Sequence, residues 1–313
     1  MKADFKKRLK EEVAGIVSFN SPTRDFTTFK IGGSAVIWVE PDSIEDLRRA
    51  LVLLRKEGIE PLVLGGGSNL LIFDGKVNRA VIKLSASCFK DLRFSGRLTA
   101  CGGGYRLSLF VKRCIEKGLS GPERLAGIPG TVGGAVMMNA GTRDMGICNL
   151  LESIDVIDFY GKEDTIKKKD LRFNYRDSGL SSCVITKAVF KLTQGDPEQL
   201  RSEFGRIYKK KVTSQEYGRP NAGCVFRNPR DSALTSGQML DQCGLKGRAV
   251  GGAAFSTKHA NFIINNGNAR FNDVMSLIKM GQDSVREKFK VHLQPEIRII
   301  YGGDTSPSYR ENA

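Results

Sequence analysis

Histidine is scarce in this chain of 313 residues: His259 and His292 are the whole supply, which argues against a multi-histidine metal centre, and no metal is expected. The seven cysteines, at positions 88, 101, 114, 148, 183, 224 and 243, are odd in number, scattered and never spaced C-x-x-C. They read as reduced thiols of a cytoplasmic protein rather than a disulfide framework or a zinc site. No run approaches the roughly 18 apolar residues of a membrane-crossing helix, so no membrane insertion is expected. The charged start, Met1-Lys-Ala-Asp-Phe-Lys-Lys-Arg-Leu-Lys10, has no apolar core, so no secretory signal peptide is expected. Three motifs are also missing: the G-x-G-x-x-G dinucleotide fingerprint, the G-x-x-x-x-G-K-[ST] phosphate loop and the G-x-S-x-G nucleophile elbow. Internal repeats and low-complexity blocks are absent as well.

Positive charge and glycine, by contrast, are abundant. Lys+Arg number 49 against Asp+Glu at 34, a net charge of +15, and there are 35 glycines. That surplus attracts nucleic acid, an acidic membrane, or phosphorylated small molecules and cofactors, and charge alone does not choose among them. A solvated basic surface with no single ligand is equally open. Glycine says more, because clustered glycines let backbone N–H groups approach an anion closely. With 40% hydrophobic and 27% charged residues, the composition is that of a soluble globular protein of about two domains.

Residues 1 to about 20 read as a short amphipathic helix closed by Ser21-Pro22. Ala35–Val39 is strand-like. Ser43, with Asp46 three residues on, signals a helix start, and Ile44, Leu47, Leu51 and Leu54 repeat at helical spacing as far as Gly58. Pro61–Leu64 is a short buried strand that runs straight into Gly65-Gly-Gly-Ser-Asn69. Further strands are predicted at about 80–84, 92–94, 98–101, 152–160 and 183–192, with a helix at 107–117 stopped by Gly118. The segment 162–170 reads as a polar connection. A linking helix follows Asp196-Pro197 with Leu200, Phe204 and Ile207 on one face, a second helix covers 271–290, a strand covers 291–301, and the residues beyond read as a loose tail.

The run Leu64-Gly-Gly-Gly-Ser-Asn-Leu70 suits a strand end whose N–H groups curl around a pyrophosphate, with Ser68 and Asn69 adding donors. A second run, Gly127-Ile-Pro-Gly-Thr-Val-Gly-Gly134, could supply another backbone wall for the same ligand. Taken singly, each run could equally be a tight turn between core elements.

Together these segments resemble the UDP-N-acetylenolpyruvoylglucosamine reductases, the MurB family, within the superfamily of FAD-linked oxidases. The resemblance rests on six blocks in family order: Thr28-Phe-Lys-Ile-Gly-Gly33, Leu64–Leu71, Ala126–Ala135 with Asn139-Ala-Gly141, Tyr175-Arg-Asp-Ser178, Asn221–Pro229 and Pro295-Glu-Ile-Arg298. It implies an α+β protein: a two-part FAD-binding domain of the FAD-linked oxidase (PCMH-type) fold, plus a C-terminal α+β substrate-binding domain. The expected divisions are an N-terminal helix or arm at 1–26, the FAD-binding domain at 27–195, the substrate domain at 196–302 and a tail at 303–313.

The resemblance further implies that NADPH reduces bound FAD, which then reduces UDP-N-acetylglucosamine enolpyruvate to UDP-N-acetylmuramate. Gly65, Gly66, Gly67, Ser68, Asn69, Leu70, Gly127, Pro129, Gly130, Thr131, Gly133, Gly134 and Asn139 fall in the cofactor-binding blocks. Arg176 matches the catalytic arginine and suits a carboxylate, because a guanidinium binds it in bidentate fashion and stays charged. Cys224 stands where many members have serine as proton donor; a thiol of reference pKa about 8.5 is mostly protonated at pH 7 and remains a competent acid. Glu296 matches the third catalytic residue, held against the substrate carboxylate. Tyr175, Arg219, Asn228 and Gln238 are the expected substrate contacts, although Tyr175 could equally be a core aromatic and Arg219 or Gln238 plain surface residues. No counterpart of the extra segment with a substrate-capping tyrosine is evident, which places the chain in the shorter class. Another FAD-linked oxidase of a small alcohol or lactone, and a basic nucleic-acid-binding protein, are the alternatives; nucleic acid and an obligate protein partner are not expected.

Overall fold

The computed structural model describes residues 3–142 and 145–303; nearly all of the expected tail, from residue 304 onward, lies outside the described residues. Contacts divide the chain into two compact units. The first comprises Met1–Ser21, Val36–Gly66 and Arg79–Lys210, and the second Pro22–Ala35, Gly67–Asn78 and Lys211–Ala313. This division is interleaved, unlike a single boundary near 195, because two short N-terminal stretches find their packing partners near the other end of the chain.

The first unit holds two cores. In one, the helices Ala3–Glu12 and Ile44–Lys56 bury Phe5, Leu9, Leu47, Ala50, Leu51 and Leu54 beside Ile37, Val39, Ala80 and Ile82. The second helix starts where the sequence indicates, with Ser43 Oγ accepting from Asp46 N–H at 3.0 Å. Full burial of a leucine such as Leu51 contributes about 1.5–3 kcal/mol, so this stripe is what holds the helix down. The strands form a sheet in the order Ile16–Pro22, Ser34–Glu40, Lys76–Ile82, Glu60–Val63, the last two parallel. The stretch after Glu12 is therefore a strand where a helix was expected, consistent with the β-branched pair Ile16-Val17.

The other core lies against a five-stranded antiparallel sheet in the order Glu163–Lys167, Leu151–Asp158, Cys183–Lys191, Leu98–Gly102, Leu92–Ser95. Its first strand occupies part of the expected polar connection; as a charged edge strand it carries no apolar alternation for sequence reading to detect. Helix Leu107–Glu116 and the short helix Val132–Met137 pack on this sheet through Phe110, Val111, Cys114, Val132 and Val136.

In the second unit, a sheet ordered Asn221–Cys224, Phe262–Asn265, Ala253–Phe255, Ala249–Val250 packs with the helices Ser236–Gln242 and Phe271–Phe289. Phe29, Ile31 and Leu71 join this core. Buried Asn265 secures the first of these stretches: its Nδ2 donates to Phe29 O at 3.0 Å, while its Oδ1 accepts from Gly267 and Ala269 N–H at 2.7 and 3.0 Å. The other stretch enters as Leu70–Ile72, paired in parallel with Arg298–Ile300. Only those three residues of the expected 291–301 strand are strand; Pro295, which lacks an N–H, makes an isolated bridge to Phe226 instead. Among the described residues no helix is long and apolar enough to cross a membrane.

Candidate active site

In the first unit the two glycine runs meet backbone to backbone. A Cβ on Gly65 would lie 2.6 Å from Thr131 Oγ1, and one on Gly66 only 2.5 Å from Gly130 Cα. Nothing larger than glycine fits, which explains the residue type at both positions. Thr131 caps the helix Val132–Met137 by accepting from Gly134 N–H, while Val132 and Gly133 donate to Tyr105 O and Gly103 O, both at 2.8 Å. Those donors are consumed internally. The N–H groups of Gly65, Gly66, Gly130 and Thr131, by contrast, meet no acceptor among the described residues. Gly127 and Gly130 turn the chain with positive φ, and Pro129 between them is exposed.

Asn139, expected to touch the cofactor, spends its side chain on the protein. Its Nδ2 donates to Asn174 O at 2.8 Å and its Oδ1 accepts from Cys148 N–H at 3.1 Å. The anchored carbonyl opens a tight turn: Asn174 N–H donates to Asp177 O at 2.8 Å, and Asp177 N–H returns to Asn174 O at 3.1 Å. Inside this turn Arg176 takes φ +57, a left-handed conformation that costs a non-glycine residue about 1–3 kcal/mol and persists only where the surroundings over-determine it. Buried Ser178 and the Asp177 carboxylate tie the far side, accepting from Leu180 and Gly179 N–H. The Arg176 guanidinium lies 4.8 Å from the centre of the Tyr175 ring. Tyr175 is half-buried, a platform for the cation rather than a core aromatic.

In the second unit, Gly67 turns the end of the glycine loop with φ +62, and its carbonyl accepts from Thr28 N–H at 3.1 Å. The Thr28 hydroxyl donates to Asn221 O at 2.7 Å. Strand Asn221–Cys224 pairs with Phe262–Asn265 through a register shift; Gly223 has φ +79 and donates to Asn221 Oδ1 at 2.8 Å. Cys224 emerges from this bulge half-buried. Beyond it, buried Asn261 clamps Phe226 in both directions, Phe226 N–H to Oδ1 at 2.9 Å and Nδ2 to Phe226 O at 2.8 Å. Glu296 comes alongside: its N–H donates to Val225 O at 2.7 Å. Glu296 is thereby brought to the residue that follows Cys224, although 72 positions separate the cysteine and the glutamate in the sequence.

Ser68 is half-buried and Leu70 begins the buried parallel strand. Arg219 is exposed and donates to Asn266 Oδ1 at 3.4 Å. Asn228 and Gln238 use their side-chain oxygens at the start of helix Ser236–Gln242: Asn228 Oδ1 accepts from Ser236 N–H at 3.0 Å, Gln238 Oε1 from Thr235 N–H at 2.8 Å. Sequence reasoning passed over Thr28, Asn221 and Asn261 as individuals. The first two lie in recognised blocks, so their hydrogen-bonding types were a usable signal; nothing in the sequence marked Asn261.

Four of the other cysteines are buried, unlike Cys224. Burial pushes the Cys148 thiol up to about 12 and Cys183 to about 11, and raises Cys101 and Cys114 further still. These are protonated, inert packing groups at neutral pH. Among the described residues no group of three or more metal-ligating side chains occurs.

Residues 215–300 match the family described as UDP-N-acetylenolpyruvoylglucosamine reductase, C-terminal domain, and residues 35–165 match an FAD-binding domain family. The reductase of Syntrophobacter fumaroxidans is 38% identical over 90% of this chain and 83% of its own length. That of Bacillus subtilis is 36% identical over 94% and 97%. The crystal structure of the enzyme from Thermus caldophilus superposes with a TM-score of 0.77 at 33% identity, covering 91% of this chain and 98% of that one. A Phl p 4 variant that is a glucose oxidase shares the fold alone, with a TM-score of 0.50 at 16% identity over 62% of this chain and 44% of that one. The residues present fit FAD, because the Gly65-Gly66 and Gly130-Thr131 backbones offer unsatisfied N–H groups on a surface with no room for side chains. On the identity and coverage of these relatives, the chain belongs to the UDP-N-acetylenolpyruvoylglucosamine reductase family.

Proposed function

We propose that this chain reduces the enolpyruvyl double bond of UDP-N-acetylglucosamine enolpyruvate to give UDP-N-acetylmuramate, a peptidoglycan precursor, with FAD as cofactor and NADPH as electron donor, in the cytoplasm. The observation that supports the reading is the 2.7 Å hydrogen bond from Glu296 N–H to Val225 O, which brings the backbone of Glu296 to the residue that follows Cys224. Seven free cysteines support the reducing compartment.

FAD, when bound, supplies two-electron transfer between the nicotinamide and the substrate. What the chain adds is charge and protons. Hydride arriving at the terminal vinyl carbon builds negative charge that delocalises into the adjacent carboxylate, and a fixed cation stabilises it most when held in place beforehand. Arg176, locked in its turn and backed by Tyr175, suits that task. The Cys224 Sγ–H delivers the proton to the carbon that bears the carboxylate, completing the reduction. Glu296 shares a proton with the substrate carboxylate and holds it in register. Arg219 presents a positive charge to the anionic substrate.

The test follows the flavin spectrum of the purified holoenzyme. Absorbance near the flavin maximum is expected to bleach on adding NADPH and to recover on adding UDP-N-acetylglucosamine enolpyruvate, with one NADPH consumed per product. Loss of absorbance without substrate-dependent recovery would overturn the reading.

A further inference from the structure

Asn69 ends the glycine loop and was expected to lend its amide to the cofactor. Its side chain donates through Nδ2 to the carbonyl of Glu296 at 3.2 Å, and its own carbonyl accepts from Arg298 N–H at 2.9 Å. The two bonds bracket Ile297, which is buried, and the pairing continues as Arg298↔Leu70, Ile299↔Leu71 and Ile300↔Ile72. The N–H of Glu296 is committed to Val225 O. Both backbone groups of Glu296 are thus held, one by the residue after Cys224 and the other by the last residue of the glycine loop.

Glu296 lies outside any regular strand: Val291 to Ile297 carries only the isolated bridge at Pro295, with Arg227 N–H donating to Gln294 O at 2.9 Å. The bonds that hold the backbone of such a stretch help to set where its carboxyl group stands. Displacing a reacting or orienting group by about 1 Å can cost about 100-fold in rate. We propose that Asn69 is a positioning residue, one that fixes Glu296 for work on the substrate carboxylate and couples that position to occupancy of the glycine loop. The proposal rests on the reductase reading above.

Asn69→Asp keeps the shape and removes the donor. In stopped flow, reoxidation of the reduced flavin by substrate is expected to slow about 10- to 100-fold, at least tenfold more than flavin reduction by NADPH slows. Its pH profile is expected to lose the limb that Glu296→Gln also removes, and the double variant is expected to be no slower than Glu296→Gln alone. A readout without turnover is hydrogen exchange: FAD loading is expected to slow exchange across 294–300 in the parent and not in Asn69→Asp, while protection at 127–134 persists in both. Asn69→Ser, whose hydroxyl is too short to reach the Glu296 carbonyl, gives the same comparison if the aspartate variant does not fold. Equal slowing of both half-reactions together with weaker FAD binding would make Asn69 a direct cofactor contact and overturn the proposal, as would unchanged rates and unchanged exchange. A parent enzyme inactive on this substrate would remove the reductase reading, whereas the exchange comparison would still report on Asn69.

Discussion

At Gly66 the contact that matters is with backbone, and backbone does not yield as a flexible side chain does. A Cβ there would sit 2.5 Å from Gly130 Cα and 3.3 Å from both Gly130 N and C. Gly66→Ala is therefore expected to purify with little or no FAD and to need far more added FAD for half-saturation, at least tenfold by flavin fluorescence titration, while keeping its fold by circular dichroism. Cys224 yields a second prediction. Cys224→Ser is expected to retain substantial turnover, since a hydroxyl in the same place still carries a proton. Cys224→Ala is expected to lose about 100-fold or more of overall turnover yet still show flavin reduction by NADPH in single-turnover mixing. Equal steady-state rates for the alanine variant and the parent would remove Cys224 from the mechanism. At this scale the residue types were legible in the sequence and their partners were not. The motif blocks marked Asn69 and Asn139, but the acceptors of their amides lie 227 and 35 positions away, a separation that no local pattern encodes.

Among the elements, the helix Ile44–Lys56 could be read directly, because its cap and its apolar stripe are both local and both agree. The helix Val132–Met137 could not: two of its six residues are glycines, poor helix formers, and it exists because Thr131 caps it and Tyr105 and Gly103 receive its first N–H groups. The turn at Arg176 was equally hidden, since its left-handed residue is an arginine where glycine would be the usual signal. Helix Ser236–Gln242 carries a consequence for pH. The ring of His259 packs against Gly237 and stacks edge-on to Phe262 at 5.1 Å, and its Nδ1 accepts from Asn261 N–H at 3.1 Å. Burial, reinforced by the Lys246 charge, lowers its pKa below the ordinary value near 6.5. Between the two values the unfolded chain binds the proton and the folded one does not, so stability falls as pH drops through about 6.5 and levels off once the folded ring protonates. The melting temperature is expected to decline over that window, and His259→Gln to flatten the decline relative to the parent; identical profiles would show that the ring does not contribute.

For the whole molecule, the net charge of +15 acts on any substrate that carries a diphosphate and a carboxylate. Steering of that kind is screened over about 10 Å at 0.1 M salt. The value of kcat/KM for the UDP-sugar is expected to fall several-fold between about 0.02 and 0.5 M salt, with kcat changing much less; a flat profile would leave the surplus charge without a part in substrate capture. The division into function-bearing blocks was legible from the six motifs, but their assembly into interleaved units was not, because register between distant strands leaves no mark in composition. The parallel pair Leu70–Ile72 with Arg298–Ile300 has a consequence for biosynthesis. At about 5–20 residues per second of translation, on the order of ten to fifty seconds pass between the emergence of the first strand and that of its partner. Throughout that interval Leu70-Leu71-Ile72, buried in the finished protein, waits on the nascent chain as an unmated apolar edge. Synthesis must pass residue 300 before it closes, so holding chaperones have a long opportunity there, and a product stalled or truncated earlier would be caught with that edge exposed.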